Sequence, residues 1–267
     1  MKSCLLMFFG LPRTFEKCSK NIKEKIINNK NNIDINFTVV ISTDNYNNNT
    51  EKWKNSNKEK IDNNNLEDKL KKMYNIKSIN YLNGPISFEY NNIKRYGTVY
   101  ERLKQLLIIE WENNYDFYIF LRFDIIIENP ININEYDNKF GIICRKEGGG
   151  GLFHNKDWDF LWIGSSNAFK IWCYNFIKYN KLHMNNIMDK LLENNNYIIQ
   201  KINFDQELDS KIFMFISNKY KIKPNISLFR KDNDTYKYVH LFFKIINYME
   251  QNNINFEINK NSTYIVR

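Results

Sequence analysis

Two hydrophobic periods run along this chain. Ser3 to Phe9 is a continuous apolar stretch, the pattern of a strand covered on both faces as in a parallel sheet. It stops at Gly10-Leu11-Pro12-Arg13-Thr14. From Phe15 to Asn28 the apolar positions Phe15, Cys18, Ile22 and Ile26 fall on one helical face, so the opening predicts strand, loop, helix. Phe37 to Ser42 predicts a second strand, closing on Thr43-Asp44-Asn45, and Ile76 to Leu82 predicts a third after a helix over Leu66 to Tyr74. Such alternation predicts an α/β fold with a doubly wound sheet flanked by helices. Ligands of such sheets bind beyond the carboxyl ends of the strands, here Gly10 to Thr14 and Thr43 to Asn45, which makes Gly10, Arg13 and Asp44 candidate binding residues.

Thr98 to Glu112 predicts a helix with Val99, Leu103, Leu106, Leu107 and Trp111 inward, and its start at Arg95-Tyr96-Gly97 would aim free amides and the Arg95 guanidinium at a phosphate. The β-rich run Tyr115 to Ile127 carries Arg122 and Asp124, which share one face if the run is a single strand. Charges in such apolar company require a partner: either a ligand, or each other in an Arg–Asp pair that ties two strands. Phe140 to Cys144 predicts a further strand. Glu147 then leads into Gly148 to Gly151, four of the chain's nine glycines, read either as a mobile segment beside a substrate or as an exposed turn.

His154 to Ser166 mixes acids with indoles, a composition suited to gripping a sugar. Trp158 or Trp162 would supply a stacking platform, and Asn155, Asp157 and Asp159 partners for hydroxyls, unless both tryptophans belong to the core. Helices are predicted at Ala168 to Tyr179 and Met184 to Asn194, and another after Asn203-Phe204-Asp205-Gln206-Glu207-Leu208. The organisation expected is one domain over 1–267, with a small C-terminal extension at 231–267 holding a helix over Tyr238 to Gln251.

Composition adds less. A hydrophobic fraction of 43% with 20 Phe and 17 Tyr is enough for a sizeable core, although mean hydropathy is −0.59. The excess of Asn, Lys, Ile and Tyr points to an AT-rich coding sequence, as in an AT-rich microbe, a protist or a large DNA virus. The net charge of +9 admits anionic partners, yet the lysines are interspersed with acids and read as a solvated surface. Four cysteines without CxxC pairing read as reduced packing residues, and three histidines without ligand spacing argue against structural zinc. Cys4 to Leu11 is too short and too interrupted for a membrane span, and no other stretch reaches the roughly 18 apolar residues that one needs. A soluble, cytoplasmic protein is expected, in host cytoplasm or virion if viral.

Gly10-Leu11-Pro12-Arg13 at the end of the first strand, with Tyr115-Asp116, Arg122-Phe123-Asp124 and Pro130-Ile131 in that order, resembles the nucleotide-sugar glycosyltransferases of the GT-A fold. The small enzymes of capsule and lipopolysaccharide clusters and of giant-virus genomes are the nearest in pattern, and the resemblance spans roughly residues 3 to 230. It implies a GT-A-like domain with a nucleotide-binding half at 1–127 and an acceptor half at 128–230, in a metal-assisted, hexosyltransferase-type enzyme that moves a sugar from a UDP- or GDP-sugar to a hydroxyl on a glycan or glycoconjugate. It also implies that Asp124 holds Mn²⁺ or Mg²⁺ against the donor diphosphate. Arg122 stands where the family's acidic motif has its first carboxylate and would contact a phosphate directly, with Arg13 and Arg95 as further clamps.

A general base for an inverting transfer would be Asp157, Glu207 or Asp205, with Trp158 and Asp159 on the acceptor side. The glycine run would act as a lid. The competing expectation is a non-catalytic basic protein for nucleic acid or an anionic glycan on a decayed transferase fold. No Lys/Arg stripe interleaved with stacking aromatics speaks for specific nucleic-acid binding.

Overall fold

Lys2–Phe9 forms β1, and its apolar run serves two cores at once. Leu5, Met7 and Phe9 enter one hydrophobic cluster, while Cys4, Leu6 and Phe8 enter the other. The period of two sends successive side chains to opposite faces, so a strand buried on both faces must be apolar throughout. The computed structural model describes residues 1–10, 15–44, 46–48, 58–60, 63–82, 87–90, 93–96, 103, 114–145, 161–179, 196–197, 199, 206–220 and 233–265.

β1 lies between two parallel partners, β2 (Ile35–Asp44) and, after the short strands β3 (Tyr46–Asn48) and β4 (Lys58–Lys60), β5 beyond it (Ile76–Leu82) on one side. β6 (Ser87–Tyr90) and β7 (Ile93–Tyr96) make a separate hairpin. On the other side of β1 comes β8 (Phe117–Arg122), also parallel. The eight-stranded sheet continues through β11 (Leu161–Ser165), β10 (Lys139–Arg145), β12 (Asn255–Ile265) and β9 (Ile125–Ile127). β11 is antiparallel to both neighbours and β9 is antiparallel to β12, so the sheet is mixed.

Helices cover both faces, the layered α/β arrangement expected from the alternating pattern. α1 (Phe15–Ile22) and α2 (Asn63–Met73) pack on the Leu6 face through Cys18, Ile22, Leu66 and Leu70. α3 (Ser166–Tyr179), α4 (Gln206–Tyr220) and α5 (Asn233–Gln251) cover the Leu5 face through Phe169, Trp172, Ile216, Phe242 and Ile246. The four positions that predicted the first helix are all buried, but its last turn, Lys23–Ile27, widens into a π-helix closed by the Asn28 N–H donating to Lys23 O at 2.6 Å. Within the predicted helix Thr98 to Glu112 only Leu103 is described, and it is helical and buried among the residues of the Leu5 face. The predicted helix Met184 to Asn194 lies outside the described residues.

The sheet curls back on itself. Four strand spacings of about 4.8 Å would hold β9 about 19 Å from β8 in a flat sheet. Only Phe123 and Asp124 separate the two strands in sequence, and the chain from Arg122 to Ile125 spans at most about 11 Å. β12 makes the bend: its first half follows β10, its register slips by a bulge where Ile143 and Arg145 face Asn259 and Thr263, and its last residues pair with β9.

The C-terminal stretch expected as a small extension therefore supplies a strand between β10 and β9 and the core helix α5. Two elements differ from expectation because their local pattern is silent about tertiary contacts: Asn255–Ile265 is mostly polar, with three Asn, yet pairs on both sides, and the apolar run to Ile127 hides a turn.

Candidate functional site

The parallel strands β2, β1 and β8 end side by side. Their register sets Ser42 opposite Phe9 and Phe9 opposite Arg122, so the residues that follow share one edge of the sheet. Gly10 comes first, with φ +102°, a conformation that side chains disfavour. A Cβ there would meet no atom within 4 Å, so backbone geometry alone requires glycine. Its N–H donates to Ser42 O at 3.2 Å and its carbonyl accepts from Thr43 Oγ1 at 3.0 Å, which fastens the start of the loop to β2. Thr43 is fully buried, so its hydroxyl acts as an internal strut.

On the other side, the Phe123 N–H donates to Phe9 O at 3.3 Å as the chain leaves β8. Phe123 is buried and stacks on Phe8 with ring centroids 5.0 Å apart. Anchoring that ring turns the chain at Phe123-Asp124 and leaves the flanking charges on the outer side. The single strand expected over Tyr115 to Ile127 is thus two strands joined by a turn. Arg122 and Asp124 meet across this turn, and do not simply share a strand face.

Arg122 Nε and Nη2 donate to Asp124 Oδ1 and Oδ2, both at 2.7 Å, in a two-pronged fork. Their side chains retain 28% and 15% of full exposure, so the pair is sheltered but reachable. A guanidinium in this geometry can exchange a carboxylate for a phosphate, since both present paired oxygens to the same fork. Among the described residues no three His, Cys, Asp or Glu side chains stand close enough together to hold one cation. Among the described residues this turn offers a cation one carboxylate, Asp124, both of whose oxygens accept from Arg122.

Other expected site residues fall elsewhere or outside the described regions. Asp44 closes β2 opposite Leu82 of β5, at the same end of the sheet. Arg95 lies within β7, opposite Phe88 of β6, and so belongs to a hairpin strand instead of the start of a helix. Glu207 is the second residue of α4. Trp162 is a core residue of β11 with no exposed surface, its ring tilted against Phe120 and edge-on to Trp172 and Phe176, which removes it as a platform for a sugar. Arg13, Asp157, Trp158, Asp159, Asp205 and the glycines 148–151 lie outside the described residues.

One residue was missed. Lys170 in α3 is 7% exposed, donates to Asn114 Oδ1 at 3.0 Å and lies 5.9 Å and 5.5 Å from the ring centroids of Tyr118 and Tyr197. Burial pushes its pKa down. The signal available was a lysine amid Ala168 to Phe176, an otherwise apolar helical run. Cys4, Cys18 and Cys173 are buried thiols outside any disulfide, and burial pushes the Cys4 and Cys173 thiols up. No helix among the described residues is long and apolar enough to cross a membrane. No known family model matches the chain, and a search of curated proteins finds no match.

Proposed function

We propose that this chain is a glycosyltransferase of the GT-A type, moving a sugar from a nucleoside-diphosphate sugar, a UDP- or GDP-sugar, to a hydroxyl acceptor on a glycan or glycoconjugate. The observation that carries the reading is the convergence of Gly10, Thr43 and the Arg122–Asp124 fork on one sheet edge at the ends of three parallel strands. Such an edge is where α/β sheets hold nucleotides. In this reading Arg122 turns its guanidinium to the donor diphosphate, and Asp124 is released from the fork as that exchange occurs. Mn²⁺ or Mg²⁺ would be held by Asp124 together with diphosphate oxygens, as expected of a cation that takes one or two carboxylates and completes its shell with phosphate, and it would neutralise charge on the leaving group.

Arg13, three residues after Gly10, is proposed as a further clamp on the same phosphates. Asp157, Asp205 and Glu207 are the carboxylates proposed to take the acceptor proton, and Asp44, Arg95, Trp158 and Asp159 remain proposed substrate contacts. A second reading draws on the same fork: a carboxylate closed by arginine also suits a non-catalytic binding protein on a transferase-like scaffold. A thermal-shift screen of UDP-, GDP-, CMP- and dTDP-sugars with and without Mn²⁺ separates them, because a ligand that binds only the native state raises its stability. A rise with one nucleotide class, lost in Arg122→Ala, supports transfer. No rise with any donor supports the second reading.

A further inference from the structure

At the opposite end of β8 from the candidate site, a cavity of about 540 Å³ opens between the first turn of α3, the last turn of α5 and residues 196–197. Its size falls in the range of about 300–1,000 Å³ usual for small-ligand pockets. Ile171 and Ile254 form a buried apolar floor, Tyr197 and Tyr248 are aromatic walls, and Asn167, Asn196 and Asn252 make an amide rim. Among the described residues that line it, none carries a charge. Among the described residues the side-chain amides of Asn167 and Asn196 and the hydroxyl of Tyr248 make no hydrogen bond, while Asn252 commits one N–H to Tyr248 O at 2.8 Å. Each free amide brings two donors and an acceptor, and the tyrosine hydroxyl one of each.

The walls are held in place. Asn175, fully buried, donates to Ile171 O at 2.7 Å and Tyr197 O at 2.8 Å and accepts from the Ile199 N–H at 2.8 Å, which clips residues 197 and 199 onto α3. Across the opening, Asn253 adopts φ +57° and its carbonyl accepts from Asn138 Nδ2 at 2.8 Å, fixing the turn that carries Asn252 and Ile254. The cavity is therefore preorganised, and little ordering is left for a ligand to bring about.

We infer that this cavity is a binding site for a neutral sugar unit of a glycan. Phenol rings and two isoleucines suit the CH faces of a pyranose, and uncharged amides that both donate and accept suit its hydroxyls, which do the same. A phosphate or carboxylate ligand would find no charge to pair with among the described lining residues. A purely apolar ligand would strip water from the unbonded amides and hydroxyl without replacing it. The length of β8, about 20 Å, separates this cavity from Arg122, so the unit held here is distinct from any sugar undergoing transfer. The inference uses none of the residues of the proposed transfer site and stands or falls separately from it.

Saturation-transfer NMR on the full chain with cellotetraose, maltotetraose, α-mannotetraose and chitotetraose tests it. At least one tetrasaccharide is expected to bind saturably, with Tyr248→Ala and Asn167→Asp each weakening it about tenfold and Asp124→Asn leaving it unchanged. Tyr248→Phe, which removes only the hydroxyl, provides the same reading if Tyr248→Ala does not fold. Binding of none of the four, binding that survives Tyr248→Phe together with Asn167→Asp, or binding lost in Asp124→Asn overturns the assignment.

Discussion

Two aspartates bracket the central strand, and they are used in opposite ways. At its amino end Asp116 accepts from the Ser3 N–H at 2.7 Å and the Ser3 hydroxyl at 2.9 Å, stitching β8 to the start of β1. At its carboxyl end Asp124 accepts only from another side chain, Arg122. The same contrast extends outward. Around the amino ends, Asn29 and Asn32 donate to Ile131 O, and Asn32 also accepts from the Ile133 N–H. These asparagines satisfy backbone outside the strands, which is a structural duty. The Asp124 carboxylate pairs with a half-buried guanidinium in place of backbone, so it can be reassigned to a ligand at small cost to stability.

The sharpest way to break this comparison is to swap the two losses. On the proposed reading, Asp124→Asn is expected to lower transfer by about a hundredfold or more, with the donor identified by the thermal-shift screen, since the carboxylate would act where charge develops. Its urea midpoint should shift little, because asparagine keeps an oxygen to which the half-buried Arg122 can donate. Near-normal turnover in a folded protein would take Asp124 out of the site.

Gly10→Ala probes the edge that organises the site, and urea denaturation should show a loss of about 1–2 kcal/mol from the positive φ alone, because no neighbour blocks the added methyl. An unchanged midpoint would mean that the loop re-forms with another path.

The smallest effect sharpens the comparison from the other end. The Ser3 N–H and hydroxyl hold the Asp116 carboxyl below the usual range. A carboxylate with a lowered folded pKa contributes stability that is complete above its ordinary value near ~3.9 and is lost as pH falls through the lower folded value. Asp116→Ala should therefore cost about 1 kcal/mol or less at pH 7, since the group is exposed, and converge with wild type near pH 2. Urea midpoints across that range check it, and turnover at pH 7 should be unchanged.

Much of this arrangement was legible in the residues. β5 spans Ile76 to Leu82 as predicted, and Phe15, Cys18, Ile22 and Ile26 mark the buried face of α1 because local periodicity records which face is covered. The turn at Phe123-Asp124 was not, since Phe123 is as apolar as the strand residues around it and its ring is buried in the same layer. Trp162 was read among possible sugar contacts because an indole beside acids looks the same in sequence whether it faces a ligand or a core. The sequence marks Arg122 and Asp124 as charges that need a partner and leaves open whether it is a ligand or each other; their two-pronged contact depends on a turn that only tertiary packing creates. The amide rim of the second cavity joins residues 167, 196 and 252, a separation that no local pattern spans.

The position of β12 has a consequence for the order in which the chain matures. β9 is made as residues 125–127, yet its sheet partner is residues 263–265, and β10 likewise waits for residues 255–263. On a ribosome adding about 5–20 residues per second, the gap of well over a hundred residues leaves both strand edges open for some seconds. During that interval Ile125-Ile126-Ile127 is an unpaired, β-branched segment of the kind that chaperones shield and neighbouring nascent chains capture.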